Sequence, residues 1–348
     1  MQSRRPDSVY ADNRGELALL RQIRSRAGRS PMRALRLGIG DDCALLRARP
    51  GEELAVTTDL SIAGRHFRLD WHSPESVGHR ALARGLSDLA AMGARPLAAF
   101  LSLGLQRELA VVKGRNASWI SRFLDGLLAL ASAYKTRLAG GDLSESPISF
   151  ADIVLVGAVP RGRALLRSTA RPGDLLYVTG SLGGAAAGLS RLAELAGKAA
   201  SDSDRRRPLQ IPKKLEALLA PHLYPQPRIA QGLRVQRSGL ATAAIDLSDG
   251  LSTDLAHICE ESRVAAEVDA ALLPLHPAAT LDQALNGGED YELLFAAPPA
   301  ARIPRSIAGV PITRIGRILK PRPNRPAVTL LTAKGPRPLK AQGWEHLS

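Results

Sequence analysis

Acidic residues in this chain recur beside glycine, serine or threonine. Six short clusters carry them: Gly40-Asp41-Asp42, Thr57-Thr58-Asp59, Ser87-Asp88, Gly140-Gly141-Asp142, Asp246-Leu247-Ser248-Asp249-Gly250 and Gly287-Gly288-Glu289-Asp290. Their oxygens are hard ligands, and Mg²⁺ in particular is held by a few carboxylates together with substrate phosphates. Several such clusters converging on one crevice would hold several ions, each masking phosphate charge. Any one cluster has a second reading, because Asp and Ser cap helices and Gly-Asp or Asp-Gly makes turns. The repetition points to an acidic metal–phosphate site, while spacing alone leaves convergence open.

Other chemistries find less support. The G-x-x-x-x-G-K-[ST] loop and the protein-kinase signature set are both absent. Gly180-Ser181-Leu182-Gly183-Gly184, ahead of a helix, reads either as a phosphate cradle or as a turn that permits close packing. The seven His show no metal-ligand spacing. Cys43 lies beside Asp42 with no identifiable base and reads as a small buried filler.

The elements that must position these clusters alternate between strand-like and helix-like segments, which predicts an α/β architecture. Residues 53–58 read as a strand ending in Asp59, and Pro74 opens a helix to about residue 92. Leu82, Leu86, Leu89 and Gly93 share one side of that helix, with Asp88 roughly 120° away from them. Strands are expected over 98–105, over 136–139 running into Gly140-Gly141-Asp142, and over 153–159, with a helix over 118–134. In open α/β sheets such strand ends form the ligand crevice. The basic stretch 161–174 holds the turn signal Arg171-Pro172-Gly173-Asp174 and sets the expected domain boundary, 1–160 against 161–348. The second part predicts strands at 175–179, 243–245 and 291–297, helices from about 183 and through Leu251, Leu255 and Ile258, and an exposed loop at 197–214. The tail from 320 to 340 is rich in Pro and basic residues around a β-prone core at 328–331.

The chain has 348 residues, enough for two domains of about 150 residues each. Hydrophobic residues make up 45% and aromatics only 4%, so the core should be aliphatic. The net charge of +14 sits at the ends, with +6 in residues 1–49 and +9 in residues 300–348, leaving the middle near neutral. Basic ends with few interleaved aromatics read as solvated surface, with nucleic acid the lesser alternative. No apolar run reaches the roughly 18 residues of a membrane span, and no apolar stretch follows Arg4-Arg5, so no signal peptide is expected. The two cysteines allow no disulfide framework, so a cytoplasmic location is expected.

At these same clusters the sequence resembles the thiamine-monophosphate kinase family, within the superfamily that includes aminoimidazole ribonucleotide synthetase and selenophosphate synthetase. The resemblance is carried by Gly38-Ile-Gly-Asp-Asp-Cys-Ala-Leu-Leu46, Thr57-Thr-Asp59 with Gly64-Arg-His-Phe67, and Leu86-Ser-Asp-Leu-Ala-Ala-Met-Gly-Ala94. It continues in Gly140-Gly-Asp142, Ala244-Ile-Asp-Leu-Ser-Asp-Gly250 and Gly287-Gly-Glu-Asp-Tyr-Glu-Leu293. It implies a two-domain α/β fold like that of aminoimidazole ribonucleotide synthetase, with N-terminal domains pairing around a shared β-barrel as a homodimer. It implies ATP as co-substrate, several Mg²⁺ ions and thiamine monophosphate as acceptor. By position, Asp42, Thr57, Thr58, Asp59, Asp88, Asp142, Asp246 and Asp249 would form the Mg²⁺ site. Gly141, Asp142, Arg167 and Ser248 would contact ATP, with Arg167 clamping phosphate and Tyr134 as the adenine contact. His66, Glu289 and Trp344 would line the thiamine-phosphate pocket, where an aromatic face suits a thiazolium cation. Asp88, Asp142, Arg167 and Asp249 would carry the catalysis. Two departures stand out: Gly85 where the family carries Asn, and Leu143-Ser144-Glu145 where it carries a Thr-x-Arg-like stretch.

Overall fold

The structure, a computed structural model, describes residues 16–27, 34–39, 41–110, 118–201, 209–323 and 326–344. The first part runs α1 (Glu16–Ala27), β1 (Leu35–Leu37), β2 (Leu45–Leu46), β3 (Glu52–Ile62), α2 (Pro74–Ala91), β4 (Arg95–Leu105), α3 (Arg107–Ala110), α4 (Trp119–Ala133), β5 (Arg137–Glu145) and β6 (Phe150–Pro160). Then come β7 (Leu175–Thr179), α5 (Gly184–Ser201), α6 (Glu216–Leu223), α7 (Ile229–Ser238), β8 (Ala243–Asp246), α8 (Leu251–Ser262) and β9 (Ala265–Asp269). The chain finishes with α9 (Leu281–Asn286), β10 (Leu293–Ala297), β11 (Ser306–Ile307), β12 (Val310–Leu319), β13 (Val328–Thr332) and β14 (Gly335–Pro338).

Two mixed sheets result. The first has the order β3-β6-β4-β5 and the second β14-β13-β9-β12-β7-β10-β8, with β11 on β12. Among the strands of the described residues only β4/β5 and β13/β9 pair in parallel. Among the described residues the first sheet is open, with β3 and β5 as its edges. The crevice is therefore not the carboxyl end of a parallel sheet. The strand expected to stop at Asp59 continues to Ile62, because β3 pairs with β6 without a break from Glu52↔Pro160 to Ile62↔Phe150. Likewise Asp142 lies within β5, which continues beside β4 to Glu145.

On β3 the usual alternation is inverted. Leu54, Val56 and Leu60 point outward, 51%, 62% and 44% exposed, while Thr57 and Asp59 point toward α2. Helix α2 starts cleanly: Ser73 caps it by accepting from the Ser76 amide at 3.2 Å, and Pro74 takes a first-turn position that needs no amide. Its apolar side, with Leu82, Leu86 and Leu89, is fully buried against the first sheet and α4. The α2–α4 contact is tight. A Cβ at Gly78 would stand 2.0 Å from the Phe123 carbonyl oxygen, and one at Gly126 1.9 Å from that of Glu75.

A second core gathers Leu176, Val178, Leu255, Ile258 and Leu294 between the second sheet and α8. Ile229 and Leu293 join the first core, so the two parts of the chain share packing. Among the described residues Phe123 and Phe295 are the only aromatics in the set of largest fully buried side chains, in keeping with the low aromatic content. Of the loop expected at 197–214, residues up to Ser201 complete α5, 202–208 lie outside the described residues, and a short 3₁₀ turn begins at Lys213. Gly40 and the basic residues before 16 also lie outside them. Among the described residues no helix is long and apolar enough to cross a membrane.

Candidate active site

Helix α2 carries a second, polar stripe. Arg80, Arg84, Ser87 and Asp88 recur at intervals of four, three and one, which places them on one face. Each reaches a different element. The Thr57 hydroxyl on β3 donates to Asp88. Two residues along the strand, Asp59 accepts from Arg84 at 3.1 Å. The Ser87 hydroxyl donates to Asp246, at the end of β8, at 2.7 Å. Arg80 reaches Glu289, 2.6 Å away.

The resulting acidic wall is electrostatically loaded. Burial, then the charges of Asp246 and Asp59, push the Asp88 carboxyl up to about 7. Burial also raises Asp59, with Asp152 and Asp249 adding to it and Arg84 opposing. Asp246 is raised by burial and by Asp59, against the Ser87 hydrogen bond and the Arg167 charge. The loop after β8 is fixed from beneath. Buried Asp254 accepts from the amides of Asp249 at 3.1 Å and Gly250 at 3.0 Å. Burial, then the charges of Asp246 and Asp249, lift the Asp254 carboxyl well above its ordinary value.

A cavity of about 590 Å³ opens on this wall, within the usual range for small-molecule sites. Thr58, Asp59, Asp88, Asp246, Ser248 and Asp249 line it, as do His66, Glu289 and Trp344. Arg65, to which the sequence reading assigned no role of its own, and Arg68, Trp71, His72, Arg84 and His222, which it did not single out, also face it. The Arg68 guanidinium lies 4.5 Å over the Trp71 ring, a cation on an aromatic face. His66 is anchored by its Nδ1, which accepts from the Ile62 amide at 3.0 Å. The Trp344 amide donates to the Asp249 carbonyl at 3.1 Å, so the C-terminal segment closes over the β8–α8 loop.

The remaining expected residues lie elsewhere. Thr57 sits behind Asp88, and Arg167 acts on Asp88 and Asp246 through its charge. Asp42 is exposed near β2. Gly141 and Asp142 lie on edge strand β5, three strands from Thr57 and Asp59, roughly 14 Å away at the usual strand spacing. Gly141 has φ 142° and passes so close to β4 that a Cβ would stand 1.9 Å from the Leu101 carbonyl oxygen. Tyr134 does not face the cavity, and its hydroxyl donates to the Pro227 carbonyl at 2.8 Å.

Three sequence expectations are revised. Cys43 is exposed rather than a buried filler, because the β1–β2 pair lies at the surface. The Gly-rich turn before α5 is no phosphate cradle: Asp290 accepts from its Gly183 amide at 2.6 Å and from Ala185 at 3.0 Å. Gly85 packs against Leu155, where an added Cβ would stand 2.2 Å from a methyl carbon. This departure from the family pattern belongs to the α2–sheet contact.

Known proteins resemble the chain in sequence and fold. Residues 40–159 match the family model described as AIR synthase related protein, N-terminal domain, and residues 171–324 match its C-terminal domain counterpart. A thiamine-monophosphate kinase of Escherichia coli is 42% identical over 316 residues, 87% of this chain and 90% of that protein. The crystal structure of thiamine-monophosphate kinase from Stenotrophomonas maltophilia is 38% identical with a TM-score of 0.73, covering 90% of this chain and 95% of its own. A structure described as AaThiL complexed with AMPPCP and TMP is 29% identical with a TM-score of 0.71, covering 98% and 99%. By its sequence over most of its length and by its fold, the chain belongs to the thiamine-monophosphate kinase family.

Proposed function

We propose that the cavity carries out direct in-line transfer of the γ-phosphoryl group of ATP to the phosphate of thiamine monophosphate, giving thiamine diphosphate and ADP. The observation that carries this reading is one cavity lined both by the Asp59–Asp88–Asp246–Asp249 wall and by Glu289, His66 and Trp344. Support comes from the family and from the related structure complexed with AMPPCP and TMP.

The carboxylates fit Mg²⁺. Among the described residues no three Asp, Glu, His or Cys side chains are poised to hold one ion by themselves. Mg²⁺ is characteristically bound by one or two carboxylates plus substrate phosphates, so such ions would arrive with the nucleotide. When bound, they supply positive charge that masks the repulsion between the two phosphates. The ligand set we propose is Asp42, Thr57, Thr58, Asp59, Asp88, Asp142, Asp246 and Asp249. Arg84, Thr57 and Ser87 orient Asp59, Asp88 and Asp246 respectively. Gly141, Asp142 and Ser248 contact the nucleotide, and Arg167 clamps its phosphates. Glu289, His66 and Trp344 bind the thiamine end. The acceptor phosphate has a second pKa of about 6, so it is already ionised near neutrality and needs no general base. Tyr134, with its hydroxyl held by the Pro227 carbonyl, would offer its ring face as the adenine contact.

Two domains, 1–160 and 161–348, would build the site together. The exposed apolar face of β3 and the open edges of its sheet suit pairing of two copies into a shared barrel. That pairing would also supply Asp142 and Gly141 from the partner copy, which accounts for their distance from β3.

The test is an end-point assay with purified protein, ATP, Mg²⁺ and thiamine monophosphate, read by chromatography, with Asp88→Asn as control. Thiamine diphosphate formed by the wild type and lost by at least about 100-fold in the variant is the expected result. No product from folded protein that binds ATP would refute the reading. A covalently ³²P-labelled chain after denaturation would refute direct transfer.

A further inference from the structure

Arg80 plays no part in the phosphate chemistry, yet it is among the most completely enclosed cations of the molecule. Its side chain is 7% exposed and lies behind the cavity wall. Nη2 donates to both carboxylate oxygens of Glu289, at 2.6 and 2.7 Å. Nη1 lies 2.9 Å from Nε2 of His72 and donates to Nε2 of His222 at 3.0 Å. The two Nε2 atoms also lie 3.0 Å from each other, and His72 Nδ1 accepts from the Arg68 amide at 3.1 Å, so His72 carries its proton on Nε2, directed at His222 Nε2, and His222 carries its own on Nδ1. The His222 Nδ1 proton then faces Glu289 at 3.4 Å. Burial and the Arg80 charge keep both rings neutral, with His72 brought down to about 3. Burial works against the charge of Glu289, but Arg80 and then His222 outweigh it and hold the carboxyl well below the usual range.

The four residues come from separate stretches of chain: His72 before α2, Arg80 on it, His222 on α6 and Glu289 ahead of β10. The Glu289 backbone is pinned as well, with φ 68° and its amide donating to the Ser248 carbonyl at 2.8 Å. His72, His222 and Glu289 face the cavity while Arg80 does not. A buried charge with two linked imidazoles behind it, one of them accepting, and one carboxylate in front is a device for aiming that carboxylate.

We propose that Arg80, clamped between His72 and His222, is a positioning residue that fixes the Glu289 carboxylate on the cavity wall, and that it serves thiamine-monophosphate binding only through Glu289. The proposal rests on the reading of Glu289 as a thiamine-phosphate contact.

The experiment is steady-state kinetics on the full chain with ATP, Mg²⁺ and thiamine monophosphate, comparing wild type, Arg80→Met, Glu289→Gln and the double variant. Each single change should raise KM for thiamine monophosphate about tenfold or more and leave KM for ATP unchanged. The double variant should be no worse than Glu289→Gln alone, because the two residues act as one unit. Arg80→Lys, which keeps the charge without the fork, should fall between wild type and Arg80→Met. His222→Asn should give a smaller rise in the same direction, and serves if Arg80→Met does not fold. Equal losses for both substrates, or losses that add in the double variant, would make Arg80 a scaffold residue and overturn the proposal. If Glu289→Gln raises KM while the Arg80 and His222 variants do not, only the positioning role falls. If Glu289→Gln leaves KM unchanged, the reading of Glu289 falls and takes the proposal with it.

Discussion

Asp88 shows how a residue can be costly to the fold and necessary to the reaction. Its carboxyl is pushed up to about 7 by burial and by Asp246 and Asp59, so ionising it in the folded protein is unfavourable. A carboxyl whose folded pKa lies above its unfolded value, about 3.9, binds more protons in the native state between those two values. Its contribution to stability is therefore full below about 4 and is lost as the pH rises to about 7. His72 and His222 titrate in the opposite sense, since their folded values are lowered, and would obscure this in the wild type alone. The difference between Asp88→Asn and wild type removes them. Without metal, the variant should match the wild type near about pH 4 and become progressively more stable up to about pH 7, with no further gain above. Mg²⁺ added together with ATP should then raise the melting temperature of the wild type at about pH 8 by more than that of the variant. A variant less stable than wild type at about pH 8 without metal would contradict the electrostatic account.

At the scale of elements, α2 organises the site with one face and the core with another. The apolar face was legible, since Leu82, Leu86 and Leu89 follow helical spacing and are all buried. The polar stripe of Arg80, Arg84, Ser87 and Asp88 follows the same period, but only Ser87-Asp88 stood beside a recognisable motif. Arg80, His72 and His222 had no local signal at all. Their role depends on Glu289, more than two hundred positions along the chain from Arg80, and no spacing within one element encodes that meeting. Strand ends were misjudged for a related reason: Asp59 and Asp142 look like punctuation, whereas their neighbours on β6 and β4 keep them in register within strands. The α2–α4 contact offers a direct test of how tightly the helix is seated. Gly126→Ala would put a methyl against the Glu75 carbonyl and force the helices apart, at a cost of about 3 kcal/mol. Urea unfolding should show a lower midpoint with an unchanged slope. Since α2 carries the stripe, kcat should fall as well.

At the scale of the whole molecule, two features of the first sheet share one explanation. Its outer face shows Leu54, Val56 and Leu60 to solvent, and its two edges separate Asp59 on β3 from Asp142 on β5. Two copies closing their sheets into one barrel would cover the first and remedy the second, by setting β5 of each copy near β3 of the other. Val56→Asp should then shift the protein to a monomer in sedimentation and remove activity without unfolding the chain, because Val56 is exposed in the single copy. A sharper test mixes two inactive variants. If Asp88 and Asp142 of one site come from different copies, an Asp88→Asn subunit paired with an Asp142→Asn subunit contains one intact site and one doubly altered site. Random exchange makes half of the dimers mixed, so activity should return to about a quarter of the wild-type value. If both residues served a site within one copy, every site in every dimer would carry a lesion and the mixture would stay inactive. Recovery would assign Asp142 to the partner's site; continued inactivity, with exchange verified, would require β5 to move toward β3 within a single chain.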